Sequence, residues 1–157
     1  MDKTDGVKWF EYGLSDAWIW PITNVAVVQA DKYFVDYEIY TTEKYYRHGL
    51  ERHTIEISDS TMDKIKAILS DKRLYEIEKL EDPYSTVAVD IFDGYLHYFY
   101  FNNGEQNIVL REGNIVFCRG QYEKCPNTAL VIDILEELGK VLIPEGVDEK
   151  CFKLTWA

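Results

Sequence analysis

The sequence lacks the short motifs by which many enzyme classes are recognised. It contains no glycine-rich nucleotide pattern (GxGxxG or GxxxxGK[ST]), no HExxH metalloprotease pattern and no GxSxG nucleophile turn. Material for a metal centre is also scarce, because the 3 histidines and 3 cysteines are scattered and no CxxC pair occurs. We therefore predict no bound metal and no cofactor, and we favour a non-enzymatic role over catalysis.

Long apolar runs and targeting signals are missing as well. No stretch approaches the ~18 apolar residues needed to cross a bilayer, and the N-terminus has no basic segment followed by an apolar core. Cys118, Cys125 and Cys151 form an odd, sparse set that does not fit a secreted disulfide framework. A bridge between Cys118 and Cys125 in an oxidising compartment is the alternative. The sequence predicts a soluble, cytoplasmic protein.

Positive charge is in short supply. The chain has 17 Lys and Arg residues against 28 Asp and Glu residues, which gives a net charge of −11. A field of that sign repels phosphate backbones and anionic membranes, so we predict no direct binding of nucleic acid and no membrane association. It attracts a basic protein. Because the acidic residues are spread along the chain, any acidic patch must be assembled by the fold.

What the chain does have is a large apolar and aromatic content. Over 157 residues, 46% are hydrophobic and 15% aromatic, which suffices for the core of one domain, and no linker or repeat divides residues 1–157. Alternating patterns predict strands at 7–12, 25–30, 33–42, 51–58 and 151–156, and helical periodicity predicts helices at 58–69 and 126–139. We predict an α+β fold with an antiparallel sheet of about six to eight strands, in the order β-β-β-β-α-β-β-β-α-β.

The most informative segment is residues 93–110, DGYLHYFYFNNGEQNIVL. Asp93-Gly94 and Asn103-Gly104 both favour two-residue hairpin loops, which would place three strands side by side. With those loops the middle strand has apolar residues on both faces. It is then covered on both sides, or covered on one side and open to a partner on the other. Tyrosine favours the open alternative, since its ring supplies contact area while its hydroxyl tolerates water.

The same register places Asp90 opposite His97. This is the only pair in the sequence whose chemistry matches that of a catalytic base and its orienting carboxylate. A carboxylate beside an imidazole orients the ring and stabilises its charged form. Neutralisation of a buried charge explains the pair equally well, and no nucleophile accompanies it. Asp90 and His97 are therefore weak catalytic candidates.

Three hypotheses of function follow. The first is a non-enzymatic acidic protein that binds a basic protein, for example as an immunity-type inhibitor of a toxin or nuclease. Its binding surface is predicted to comprise tyrosines and helix carboxylates, namely Tyr37, Tyr40, Tyr95, Tyr98, Tyr100, Glu136 and Glu137. The second is a small-molecule-binding domain or modest enzyme with an Asp90 and His97 pocket. The third is a homodimer joined through the second face of the sheet.

Overall fold

The structure, a computed structural model, describes residues 6–16, 21–40, 50–82, 95–113 and 115–155. In this part of the chain an antiparallel sheet and two helices confirm the α+β fold. The strands are β1 (Val7–Asp16), β2 (Pro21–Gln29), β3 (Tyr33–Tyr40), β4 (Leu50–Ile57), β5 (Tyr95–Asn102) and β6 (Asn107–Gly113). The helices are α1 (Asp59–Leu69) and α2 (Pro126–Leu142), and short 3-10 turns occupy Lys72–Glu76, Ile115–Cys118, Ile143–Glu145 and Glu149–Phe152.

The six described strands form one sheet in the order β4-β3-β2-β1-β5-β6, with every pair antiparallel. The first four strands form a meander, and β5 then returns to pair with β1. Directly paired residues share a face of the sheet. Each face of the sheet therefore carries rows of side chains that run across the strands. One such row consists of Thr54, Asp36, Ala26, Glu11, Tyr100 and Val109.

Both helices pack on one face, which we call the core face. Its strands contribute aromatic and branched residues, and the helices contribute the apolar stripes predicted from their periodicity. The core includes Phe10, Tyr12, Leu14, Val25, Val27, Val35, Phe99 and Phe101 from the sheet, and Met62, Ile65, Leu69, Leu135 and Leu138 from the helices. Neither of the described helices is long and apolar enough to cross a membrane. The opposite face of the sheet is called the outer face below.

The strand pairing predicted across Asp93-Gly94 is wrong. β1 pairs with one edge of β5, where Leu14 lies opposite His97, and β6 pairs with the other edge. No hydrogen-bonding edge of β5 is left for the predicted ladder with residues 87–91, so Asp90 is not the cross-strand neighbour of His97. Asp90 itself lies outside the described residues. The long-range match between β1 and β5, both rich in aromatic residues on the core face, takes the place of the local hairpin.

The second predicted hairpin forms, but with a longer loop. Asn102 pairs with Asn107, so four residues rather than two connect β5 to β6. The side-chain oxygens of Asn102 and Asn103 accept hydrogen bonds from the loop amides of Gly104, Glu105 and Gln106 at 2.7–2.9 Å. Because the register differs from the prediction by two residues, every side chain keeps its predicted face.

The last predicted strand, residues 151–156, is also wrong, because residues Glu149–Phe152 form a 3-10 turn. The Asp148 side chain begins this turn by accepting a hydrogen bond from the Lys150 amide at 2.9 Å. Cys151 and Phe152 are buried in the core. Phe152 packs on Gly139 of α2, where an added Cβ would lie 3.1 Å from the phenyl ring. The apolar residues that predicted a strand here therefore belong to a turn that packs against α2.

Candidate interaction surfaces

The start of α2 is fixed by a carboxylate from a distant part of the chain. Glu81 accepts hydrogen bonds from the amides of Thr128 at 2.8 Å and Asn127 at 3.2 Å, and its carbonyl accepts one from the Thr128 hydroxyl. Burial raises the pKa of Glu81, but these hydrogen bonds outweigh burial and bring it below its ordinary value. The N-cap residue, Cys125, makes no side-chain capping bond. Glu81 thus anchors the start of α2 to the segment that follows the Lys72–Glu76 turn.

The side of α2 that points away from the core carries three carboxylates and one lysine, Lys140, which pairs with Glu137 at 3.0 Å. Asp133, Glu136 and Glu137 stand three and four residues apart and so share one side of the helix. The preceding loop lies along this side, because the Tyr122 hydroxyl donates to Asp133 at 2.9 Å and Arg119 pairs with Glu136 at 3.3 Å. We call the surface formed by Glu76, Tyr122, Asp133, Glu136 and Glu137 the acidic helix surface.

Two aromatic side chains in the segment before α2 are highly exposed, and one of them, Tyr122, contacts these carboxylates. Tyr122 is 57% exposed and Phe117 is 52% exposed, the highest values among the large hydrophobic side chains of the described residues. The hydrogen bond to Asp133 raises the pKa of Tyr122 and holds the phenol in place. Sequence patterns did not point to either residue, since Phe117 lies in the short turn Ile115–Cys118 and Tyr122 in the irregular segment before α2.

A shallow cleft opens on the acidic helix surface. Its volume is about 470 Å³, and it is lined by Arg73, Glu76, Tyr122, Pro126, Asn127, Leu130 and Asp133. The guanidinium of Arg73 is held at the rim by Asp71, with Nη2 2.7 Å from Oδ2 and Nε 3.1 Å from Oδ1. The hydrogen bond from Arg73 lowers the pKa of Asp71. The cleft therefore combines the apolar groups of Pro126 and Leu130 with the guanidinium of Arg73 and the carboxylates of Glu76 and Asp133.

The outer face of the sheet has a different character. Leu96 is 44% and Val109 48% exposed. Two cations lie over neighbouring rings, with Lys8 Nζ 4.9 Å from the centre of Tyr100 and the Arg111 guanidinium 5.2 Å from that of Tyr98. Acidic and basic side chains pair across this face, for example Lys8 with Glu11 and Arg52 with Glu38.

The predicted binding residues do not form one surface. Tyr98 and Tyr100 lie half-buried on the outer face, whereas Glu136 and Glu137 are exposed on α2, which packs on the core face. The structure thus separates the predicted tyrosines from the predicted carboxylates. An acidic group and an exposed aromatic ring do meet, but the ring is that of Tyr122, which bonds to Asp133.

Three further predicted tyrosines have other positions. Tyr37 is only 8% exposed on the core face, and its hydroxyl donates to the carbonyl of Gly146 at 3.4 Å, so its assignment to an exposed surface is wrong. Alternation along β3 directs Tyr37 to the core together with Val35 and Ile39. Tyr95 is half-buried against the core, and the Tyr40 side chain lies outside the described residues.

His97 is a core residue. It is 2% exposed, and its Nδ1 lies 2.9 Å from the Tyr12 hydroxyl, which donates its own proton to the carbonyl of Lys153 at 2.8 Å. Since that hydroxyl has one proton, the imidazole Nδ1–H is the donor to Tyr12. Burial lowers the pKa of His97 to about 4, so the ring is neutral at pH 7. His97 does not line the cleft and connects β5 to β1 and to the C-terminal segment.

The three cysteines are free and buried, so the alternative bridge between Cys118 and Cys125 is not formed. The Cys118 thiol donates to the carbonyl of Glu81 at 3.5 Å, and burial, with the neighbouring Cys125, raises the pKa of Cys118 to about 12. Within the described ranges, no three His, Cys, Asp or Glu side chains lie close enough together to hold a metal ion.

Comparison with known proteins adds no assignment to this geometry. None of the known protein-family models matches the chain, and none of the curated proteins matches its sequence.

Proposed function

We propose that this chain is a non-enzymatic interaction protein that binds a basic protein through the acidic helix surface. The observation that carries the proposal is the contact between Tyr122 and Asp133. It fixes a highly exposed aromatic ring beside the carboxylates of α2. Tyrosine is among the residues that contribute most to protein interfaces, and the net negative charge of the chain speeds its encounter with a basic partner.

The net charge of −11 supports the choice of partner. Proteins that bind nucleic acid need a basic surface to contact phosphates, and such a surface complements clustered carboxylates. A toxin or nuclease inhibited by this chain is a partner of that kind. The proposal includes a cytoplasmic location, since free, buried cysteines suit a reducing compartment.

The alternative of a small-molecule site around Asp90 and His97 gains no support from the described geometry. His97 is buried, bonded to Tyr12 and remote from the lining of the cleft. A catalytic base needs access to a substrate proton, and a buried ring packed beside Tyr12 and Phe99 offers none.

Affinity capture with two matched variants tests the proposal. The immobilised chain is incubated with native lysate at low salt, and bound proteins are identified after a salt gradient. Glu136→Lys and Glu38→Lys change the net charge equally, and each removes a carboxylate that pairs with an arginine. Only Glu136 lies on the acidic helix surface. We expect a captured protein with a pI above about 9 to be lost with Glu136→Lys and kept with Glu38→Lys.

Two results contradict the proposal. One is a specifically captured protein without a basic surface. The other is equal loss of binding in both variants, which would mean that total charge matters and that the acidic helix surface does not. Tyr122→Ala adds an independent check that leaves the charge unchanged, and we expect it to weaken binding at least about fivefold, the threshold of about 1 kcal/mol that separates contributing interface residues from neutral ones.

A further inference from the structure

The outer face of the sheet is a second exposed surface, separate from the acidic helix surface. Leu96 and Val109, 44% and 48% exposed, lie on it together with Tyr98 and Tyr100. An antiparallel sheet with one solvated face normally shows polar residues there, and contiguous exposed apolar groups mark interaction sites. The patch extends to β6, an edge strand of the described sheet.

The charges on the outer face compensate one another. Its acidic and basic side chains pair with each other, as in Lys8–Glu11, Lys32–Glu56 and Arg52–Glu38. With a net charge of −11, two copies of the chain repel each other in most orientations. Repulsion is smallest where charges balance locally. A second copy is therefore best accommodated on the outer face.

The two halves of the outer face also carry opposite charge. The half formed by β1, β5 and β6 has Lys8 and Arg111 against Glu11. The half formed by β3 and β4 has an excess of one acid, with Asp36, Glu38 and Glu56 against Arg52 and Lys32. A twofold axis parallel to the strands places each half over the opposite half of the second copy. Such a face is self-complementary, as an isologous interface requires.

The available area permits a weak dimer. Six strands at about 4.8 Å spacing, each about 8 residues long, cover roughly 25 Å by 25 Å. Two such faces bury about 1,200 Å² in total, the lower limit for a specific interface. We propose that two copies of the chain associate face to face through their outer faces, with a dissociation constant in the micromolar range. This homodimer is independent of the basic partner, which uses the other side of the molecule.

Sedimentation equilibrium at micromolar to submillimolar chain concentrations tests the dimer. We expect a monomer–dimer equilibrium that strengthens as salt is added, because salt screens the repulsion between two acidic chains. Binding of a basic protein responds to salt in the opposite direction, so each proposal can fail without the other.

Val109→Lys and Val7→Lys form a matched pair of variants. Both valines lie in strands and both are 48% exposed, but Val109 is on the outer face, whereas Val7 pairs with Gln29 on the core-face side at the end of β1. We expect Val109→Lys to raise the dissociation constant at least about tenfold, since it buries an unpaired charge, and Val7→Lys to leave it unchanged. A chain that stays monomeric at every concentration and salt overturns the proposal. So does a dimer that survives Val109→Lys combined with Leu96→Lys.

Discussion

Lowering the pH from 7 to 5 is expected to destabilise the protein through His97. This imidazole is 2% exposed, and burial lowers its pKa to about 4, whereas a histidine in the unfolded chain titrates near 6.5. Between these two values the unfolded chain binds a proton that the folded chain does not. The free energy of unfolding therefore has its full value above about pH 6.5 and decreases as the pH falls toward 4.

The magnitude follows from the two pKa values. A separation of about 2.5 units corresponds to about 3 kcal/mol when the titration is complete, of which about 2 kcal/mol is lost by pH 5. Acidic groups with ordinary pKa values are still mostly ionised at pH 5. The interval from pH 7 to 5 therefore isolates the histidines, of which the chain has 3.

Urea denaturation at pH 7 and pH 5 measures the effect in the wild type and two variants. His97→Asn keeps an N–H donor near the position of Nδ1, which bonds to Tyr12, but it cannot titrate. We expect the unfolding free energy of the wild type to fall by about 2 kcal/mol from pH 7 to 5, and that of His97→Asn to fall far less. His53→Asn, at an exposed histidine, should retain the wild-type response. If wild type and His97→Asn lose equal stability, the reasoning about the buried ring is refuted.

Two substitutions test the packing and orientation of α2. Glu81→Ala removes the carboxylate that accepts the Thr128 and Asn127 amides, and we expect a loss of about 1–2 kcal/mol in urea denaturation at pH 7, against little change for the exposed Glu78→Ala. An equal loss in both variants would contradict the capping role. Gly139→Leu places a side chain against Phe152, where even a Cβ lies 3.1 Å from the ring, and should cost about 1–3 kcal/mol. Ala67→Leu, at an exposed position of α1, should cost almost nothing, and a Gly139→Leu protein as stable as wild type would show that Phe152 moves aside freely.

Local sequence patterns predicted the individual elements well. Alternation in residues 33–39 directs Val35, Tyr37 and Ile39 to one side, and the structure buries them together. The helical stripes were equally clear, because Met62, Ile65 and Leu69 recur at helical spacing and are all buried. The Asn103-Gly104 signal located a hairpin correctly, although side-chain bonds from Asn102 and Asn103 lengthened its loop.

The arrangement of those elements could not be read from local patterns. β1 pairs with β5 although Leu14 and His97 are separated by more than eighty residues, and a sequence contains no turn signal for such a contact. The same limit applies to the candidate site. Tyr122 meets Asp133 only because the loop before α2 folds back along the helix, and irregular loops have no periodicity from which to predict a position.

The most direct test of the account is the association rate of the captured basic protein as a function of salt, for the wild type, Glu136→Lys and Glu38→Lys. We predict that the wild-type rate falls steeply as salt rises, and that at low salt Glu136→Lys associates about tenfold more slowly while Glu38→Lys stays close to wild type. A rate indifferent to salt, or equally slowed in the two variants, would contradict a binding role for the carboxylates of α2.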